Sequence, residues 1–110
     1  MTTERFFRAL ADRTRLHCLL LLLGEREMCV CELVHALELS QPKVSRHLAQ
    51  LRDAGIVADE RRGQWVYYRL HPELPAWSRK VLEAVREDEA LDDYRRRLAA
   101  MPDRPFAACD

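Results

Sequence analysis

The stretch CVCELVHALELSQPKVSRHLAQLRDAGIV, residues 29–57, decides the fold. Val30, Leu33, Val34 and Leu37 recur at spacings of three and four, which predicts a helix over residues 28–37 with one apolar face. Leu39 precedes a polar break. Ser40 is a strong N-cap residue, Pro42 is tolerated because it falls in the first turn, and Val44, Leu48 and Leu51 supply the buried face of a second helix that Gly55 stops. The outward positions of that second helix are Gln41, Lys43, Ser45, Arg46, His47 and Gln50, a side with no acidic group until Asp53.

The residues after this helix pair sharpen the reading. Residues 56–61 and 64–70 flank Arg62-Gly63, and the second run, Gln64-Trp65-Val66-Tyr67-Tyr68-Arg69-Leu70, is rich in β-branched and aromatic residues. A β-hairpin with a basic tip is expected. Two short helices joined by about three residues, then a two-stranded ribbon, describe a winged helix-turn-helix, whose second helix enters the major groove while the ribbon lies along the backbone. Charge supports this reading. The chain has 18 basic and 18 acidic side chains, yet residues 40–69 carry six Lys or Arg against three acids, while the flanks are net acidic. A neutral total thus conceals a basic stretch suited to phosphate.

Outward from the centre, Phe6, Phe7 and Leu10 make a short amphipathic first helix over residues 3–10, with Thr3 as a candidate cap. Asp12 caps a second helix, apolar nearly all round, that contains Cys18 and five consecutive leucines and is expected to stop at Gly24. A long last helix is predicted over residues 76–100, broken by Pro102 and Pro105. The expected architecture is mainly α with a small β-hairpin wing, in the order α-α-α-α-β-β-α: one domain over residues 1–101 and a flexible tail over 102–110. With 110 residues, 48% of them apolar, one core is possible but not two.

Several function classes fall away. Residues 1–10 lack the apolar core of a signal peptide, and Leu19–Leu23 is far shorter than the roughly 20 residues that span a bilayer, so a cytoplasmic protein without membrane contact is expected. There is no CxxC, no phosphate-cradling glycine loop and no α/β alternation, so no enzyme is expected. Four cysteines in an intracellular chain point to metal ligation, redox sensing or plain burial rather than a disulfide framework.

Four segments taken together carry a resemblance: Ala9-Leu10-Ala11-Asp12-Arg13-Thr14-Arg15-Leu16, Cys29-Val30-Cys31-Glu32-Leu33, Ser40-Gln41-Pro42-Lys43-Val44-Ser45-Arg46-His47-Leu48 and Leu51-Arg52-Asp53-Ala54-Gly55-Ile56-Val57. The chain resembles the ArsR/SmtB family of metal-responsive repressors, most closely its arsenic-responsive branch. The resemblance implies a homodimer through the first and last helices that binds operator DNA when ligand-free and is released by arsenite As(III) or antimonite Sb(III), with no organic cofactor. It also implies that Cys29 and Cys31 are the thiolate ligands.

Residue by residue, Gln41, Lys43, Ser45, Arg46 and His47 are the expected DNA contacts of the second helix, with Arg61 and Arg62 on the wing. Arg52 and Arg69 serve either DNA or intramolecular ion pairs. Phe6, Phe7, Leu10, Trp77, Val81, Val85 and Tyr94 exceed what one small core must hide and form the expected dimer interface, covered by a second copy. Soft thiolates suit trivalent arsenic, and a helix N-terminus is expected to lower the thiol pKa. On a regular helix, residues i and i+2 stand about 200° apart, so Cys29 and Cys31 are expected to meet one ion only if the first turn distorts.

One departure from the family's pattern is that the third cysteine of the site is Val34 here. Cys109 on the tail, from either subunit, is the candidate third sulfur, and Cys18 is read as core. His17 and His35 are read as isolated histidines, and residues 76–100 contain no histidine, which disfavours the zinc site of related repressors. Two alternatives stay open for the cysteine pair: a thiol redox switch and a Cd/Pb-responsive site of the same fold.

Overall fold

A computed structural model describes residues 1–104. The chain folds as α1 (Thr3–Leu10), α2 (Arg13–Glu25), β1 (Glu27–Cys29), α3 (Val30–Leu37), α4 (Gln41–Asp53), β2 (Val57–Arg62), β3 (Trp65–Leu70), α5 (Ala76–Arg86) and α6 (Asp92–Ala99). Helix α1 is capped by Thr2 rather than Thr3, the Thr2 hydroxyl accepting from the N–H of Arg5 at 3.1 Å. Helix α2 is the axis of the core. Asp12 caps it by accepting from the N–H of Arg15 at 3.0 Å, and Cys18 to Leu22 are buried on every side. Each buried leucine contributes about 2 kcal/mol of apolar burial. The helix runs past Gly24 and ends at Glu25, where Arg26 takes a positive φ of 74° as the cap. Cys18 lies in the core as expected, and burial pushes its thiol pKa up to about 12.

Helices α3 and α4 form the expected pair. The second is delimited at both ends by side-chain and backbone chemistry the sequence announces. Ser40 accepts from the N–H of Lys43. At the other end Gly55, with φ of 79°, lets its own N–H reach the carbonyl of Arg52 while Ile56 N–H reaches that of Leu51. That pair of hydrogen bonds is a Schellman closure, which a residue with a Cβ would strain. Ile56 then delivers the chain into the wing.

Two larger expectations are corrected. The wing is not a two-stranded ribbon standing alone: Glu27–Cys29 is extended and pairs antiparallel with β3, Met28 opposite Tyr68 and Cys29 opposite Tyr67, giving a sheet in the order β1-β3-β2. The helix predicted from residue 28 therefore begins at Val30. The long last helix is two. Glu87, Asp88 and Glu89 follow one another at the carboxyl end of α5, where the helix dipole disfavours negative charge, and the chain breaks there. It restarts behind buried Leu91 with Asp92 and Asp93 in the first turn of α6, the end where acids are favoured.

No helix among the described residues is long and apolar enough to cross a membrane.

Candidate nucleic-acid interface and thiol site

The exposed side of α4 carries Gln41, Lys43 and Arg46, all solvent-facing, with half-buried Ser45 accepting a hydrogen bond from the Gln41 amide at 3.1 Å. His47 departs from the expected pattern. It is only 7% exposed and turns inward toward Asp12, its Nδ1 lying 3.9 Å from Oδ1 without a hydrogen bond. Burial holds the imidazole pKa below its ordinary value, partly opposed by the Asp12 charge. At this position the helix has already turned from its basic face to the α2 side, so in this conformation His47 is a packing residue rather than a groove contact. Nearby, Arg15 bridges the two helices, giving Nε to the Ala9 carbonyl and a terminal nitrogen to Gln50.

On the wing, Arg61 and Arg62 differ although they are adjacent. Arg61 is exposed and donates to the Gly63 carbonyl, whose residue holds the turn with φ of 63°. Arg62 is clasped in bidentate fashion by Glu27 of β1 at 2.6 and 2.8 Å, pairs with Glu60, and lies over the Tyr67 ring. Those hydrogen bonds push its pKa up and fix its charge in place. Arg62 is therefore a strap between β1 and the hairpin before it is a free cation. Arg52 settles into an ion pair with Asp59 at 3.3 Å, and Arg69 sits half-buried on β3 across from Glu27.

The cysteine pair is arranged more favourably than helical geometry suggests. Cys29 is not in the helix: it is the N-cap of α3, in extended conformation with φ of −74° and ψ of 151°, and only Cys31 is helical. The expected 200° separation does not apply, and the Cys31 thiol donates to the Cys29 sulfur at 2.9 Å. No distortion of the first turn is needed to bring the sulfurs together. The expected fall in thiol pKa is also reversed. Burial, then the bond to Cys29, pushes the Cys31 thiol up to about 12, outweighing the helix N-terminus. Cys18, Cys29 and Cys31 are all free thiols. Cys109 lies outside the described residues.

Sequence reasoning missed the group that holds this corner. Glu32 is fully buried; one carboxylate oxygen accepts the Cys29 N–H at 2.8 Å and the other accepts from Arg104 Nε at 2.5 Å, while Arg104 also reaches Glu25. The legible half was the Cys29-to-Glu32 spacing, that of a capping box with a thiol in place of the hydroxyl. The sulfurs open onto a cleft of about 580 Å³ between α3, the start of α4 and β3.

At the opposite side of the chain, Phe6 packs edge-on against Trp77 at 5.2 Å and is wholly buried within the single chain, so it belongs to the protomer's own core and has no surface to offer a partner. Phe7 stacks on Trp77 at 6.5 Å and is 47% exposed, and Leu10, Val81 and Val85 are half-buried. Tyr94 is half-buried with its hydroxyl 2.7 Å from Nδ1 of His17, a buried histidine that joins α2 to α6.

A basic helix seated on a scaffold helix, continued by a hairpin wing, defines the winged helix-turn-helix class of DNA-binding regulator. Comparison with known proteins agrees. The model of the bacterial regulatory protein arsR family matches residues 12–59. The arsenic resistance transcriptional regulator ArsR1 of Pseudomonas putida is 57% identical over 107 residues, covering 96% of this chain and 84% of its own. The arsenical resistance operon repressor of Escherichia coli is 50% identical over 97 residues, covering 86% and 83%. Among solved structures, the AntR antimony-specific transcriptional repressor matches with a TM-score of 0.64 at 30% identity, over 73% of this chain and 69% of that one. The chain belongs to the arsR family of bacterial transcriptional regulators.

Proposed function

We propose that this protein is a metalloid-responsive repressor: a homodimer that grips operator DNA through α4 and the wing when ligand-free, and releases it when trivalent arsenic or antimony bonds to Cys29 and Cys31. The observation that carries this reading is the 2.9 Å approach of two free thiols on the cap of the scaffold helix, at the mouth of a cleft whose far wall is Gln41 and Ser45 of α4. A ligand there occupies the cleft that the reading helix lines. The names of the relatives, arsenic and antimony regulators among them, support the same choice of ligand.

The chemistry favours metalloid hydroxides over the Cd/Pb and redox alternatives. Arsenous acid brings its own leaving groups: each S–H proton departs with an arsenic hydroxyl as water, so a protonated thiol is competent as it stands. A divalent cadmium or lead ion must instead expel the thiol protons into solvent, which a thiol held near 12 resists. Peroxide likewise attacks the thiolate rather than the thiol.

In the dimer, Lys43, Arg46 and Arg61 are the cations that meet phosphate, with Gln41 and Ser45 nearest the base edges. Phe7, Leu10, Trp77, Val81 and Val85 supply the face that a second copy covers, with Tyr94 at its border.

The test is release of a fluorescent operator duplex. Arsenite is expected to free it from the native protein and to leave it bound when Cys29→Ser and Cys31→Ser are combined. Release that persists in the double variant overturns the site, and release by cadmium or peroxide at lower concentration than arsenite overturns the ligand.

A further inference from the structure

The scaffold helix α3 is braced at both ends by arginines from the last part of the chain. At its carboxyl end Arg97 of α6 donates Nε to the Ala36 carbonyl at 2.8 Å and pairs with Glu38 at 3.5 Å. At its amino end Arg104 donates to Glu32 and to Glu25. The chain reaches that second point through a tight turn: α6 ends at Ala99, Pro102 does not prolong it, and Asp103 takes a positive φ of 53°. Aspartate tolerates that left-handed conformation better than most residues with a Cβ. The turn leaves Met101 lining the thiol cleft and Arg104 half-buried on Glu32.

The two braces differ in what they hold. Arg97 meets a backbone carbonyl and an exposed carboxylate. Arg104 meets a carboxylate with no exposure at all, which itself accepts the Cys29 N–H at 2.8 Å. A buried carboxylate stripped of its cation is strongly unfavourable and is driven toward solvent. That movement takes the oxygen off the Cys29 N–H and releases the extended cap conformation in which Cys29 Sγ stands 2.9 Å from Cys31 Sγ. Two sulfurs no longer held together must be gathered again on binding, which lowers affinity. We propose that Arg104 is a positioning residue of the thiol site: by neutralising Glu32 it holds Cys29 against Cys31, so the docking of segment 101–104 sets the affinity of the pair for its ligand. The inference rests on the reading of Cys29 and Cys31 as ligands for trivalent arsenic. Linkage is reciprocal, so a ligand that fixes Cys29 also tightens the docking of Arg104.

The test pairs calorimetric titration of the full chain with arsenite and hydrogen exchange at the Cys29 amide, which reports the cap with no ligand present. Arg104→Gln is expected to lower arsenite affinity about tenfold or more, the usual effect of losing a group that orients a ligand-binding side chain. Exchange at Cys29 is expected to quicken by a similar factor. Adding Glu32→Gln to Arg104→Gln removes the stranded charge yet keeps an oxygen for the Cys29 N–H, and is expected to restore most of both. Arg97→Gln, which removes the brace at the other end of α3, is expected to leave both near their native values. Equal losses in Arg97→Gln and Arg104→Gln overturn the inference, since general bracing of α3 then accounts for them. An Arg104→Gln loss that Glu32→Gln does not rescue overturns it as well, as does arsenite affinity unchanged in Arg104→Gln. Where Cys29 exchange follows the expected pattern but arsenite binding is undiminished in the combined Cys29→Ser, Cys31→Ser variant, the hold of Arg104 on the cap stands and the arsenic reading falls.

Discussion

The starts of α3 and α4 are the same local device put to opposite uses. Both are helix N-termini, where N–H groups and the dipole favour negative charge. The α3 start is closed: its cap is a buried cysteine, its N-terminal N–H is taken by Glu32, and that carboxylate is neutralised by Arg104 from the far end of the chain. The α4 start is open: its cap is the exposed hydroxyl of Ser40, and Lys43 and Arg46 stand in solvent beside it. The first places two free thiols in contact, which is the ligand site proposed above. Exposure with positive charge suits the second to phosphate, the contact proposed for it. A single cleft touches both, through Cys31 on one side and Gln41 on the other.

The largest expected effect breaks the closed end. Glu32→Ala strands the Cys29 N–H and leaves Arg104 with Glu25 alone, and is expected to cost about 3 kcal/mol of stability, read by urea unfolding. Loss of the cap also frees Cys29, so thiol titration with a disulfide reagent is expected to speed up in the folded protein. An unchanged unfolding midpoint would mean that Glu32 is not the strut of this corner. The open end responds differently. Lys43→Ala is expected to leave the melting temperature in place and weaken operator binding across all sequences, lowering the slope of log affinity against log salt by about 1 for each chain. A lost salt slope accompanied by lost stability would erase the contrast between the two ends.

The smallest effect lies on the inner side of α4. Asp12 is held below the usual carboxylate range, first by the Arg15 N–H, and His47 below the usual imidazole value by burial. Both signs agree. A depressed carboxyl contributes stability that is present above its ordinary pKa and lost as pH falls through the folded value, and an imidazole kept neutral by burial likewise loses its contribution on acidification. The melting temperature is expected to decline as pH falls below about 6.5 and again below about 4. His47→Gln should flatten the first decline and Asp12→Asn, which keeps the cap, the second. A melting temperature constant from pH 7 to 5 would remove His47 from the account.

Much of this fold is legible in the sequence. Three- and four-residue apolar spacing, Asp12 and Ser40 as caps, Gly55 as a stop and the aromatic run after Gly63 are local signals, and the helices and hairpin they imply are present. The three residues of β1 carried no periodicity of their own, because a strand that short exists only by pairing with β3. The break between α5 and α6 was hidden because apolar spacing continues across it while three consecutive acids oppose the helix. His47 was assigned outward from its polarity; only contact with Asp12 across the α2–α4 interface reveals that it points inward.

The amino-acid order by itself determined the helix-turn-helix, the wing, the basic stretch and the presence of two thiols at the scaffold helix, because each depends on neighbours within a few positions. The tertiary structure alone decided that those thiols touch, that Arg62 is a strap, and that one cleft joins the cysteines to the reading helix. Those facts depend on β3 pairing with β1 and on Arg104 reaching Glu32 from far along the chain, contacts that no local pattern encodes because folding brings them together.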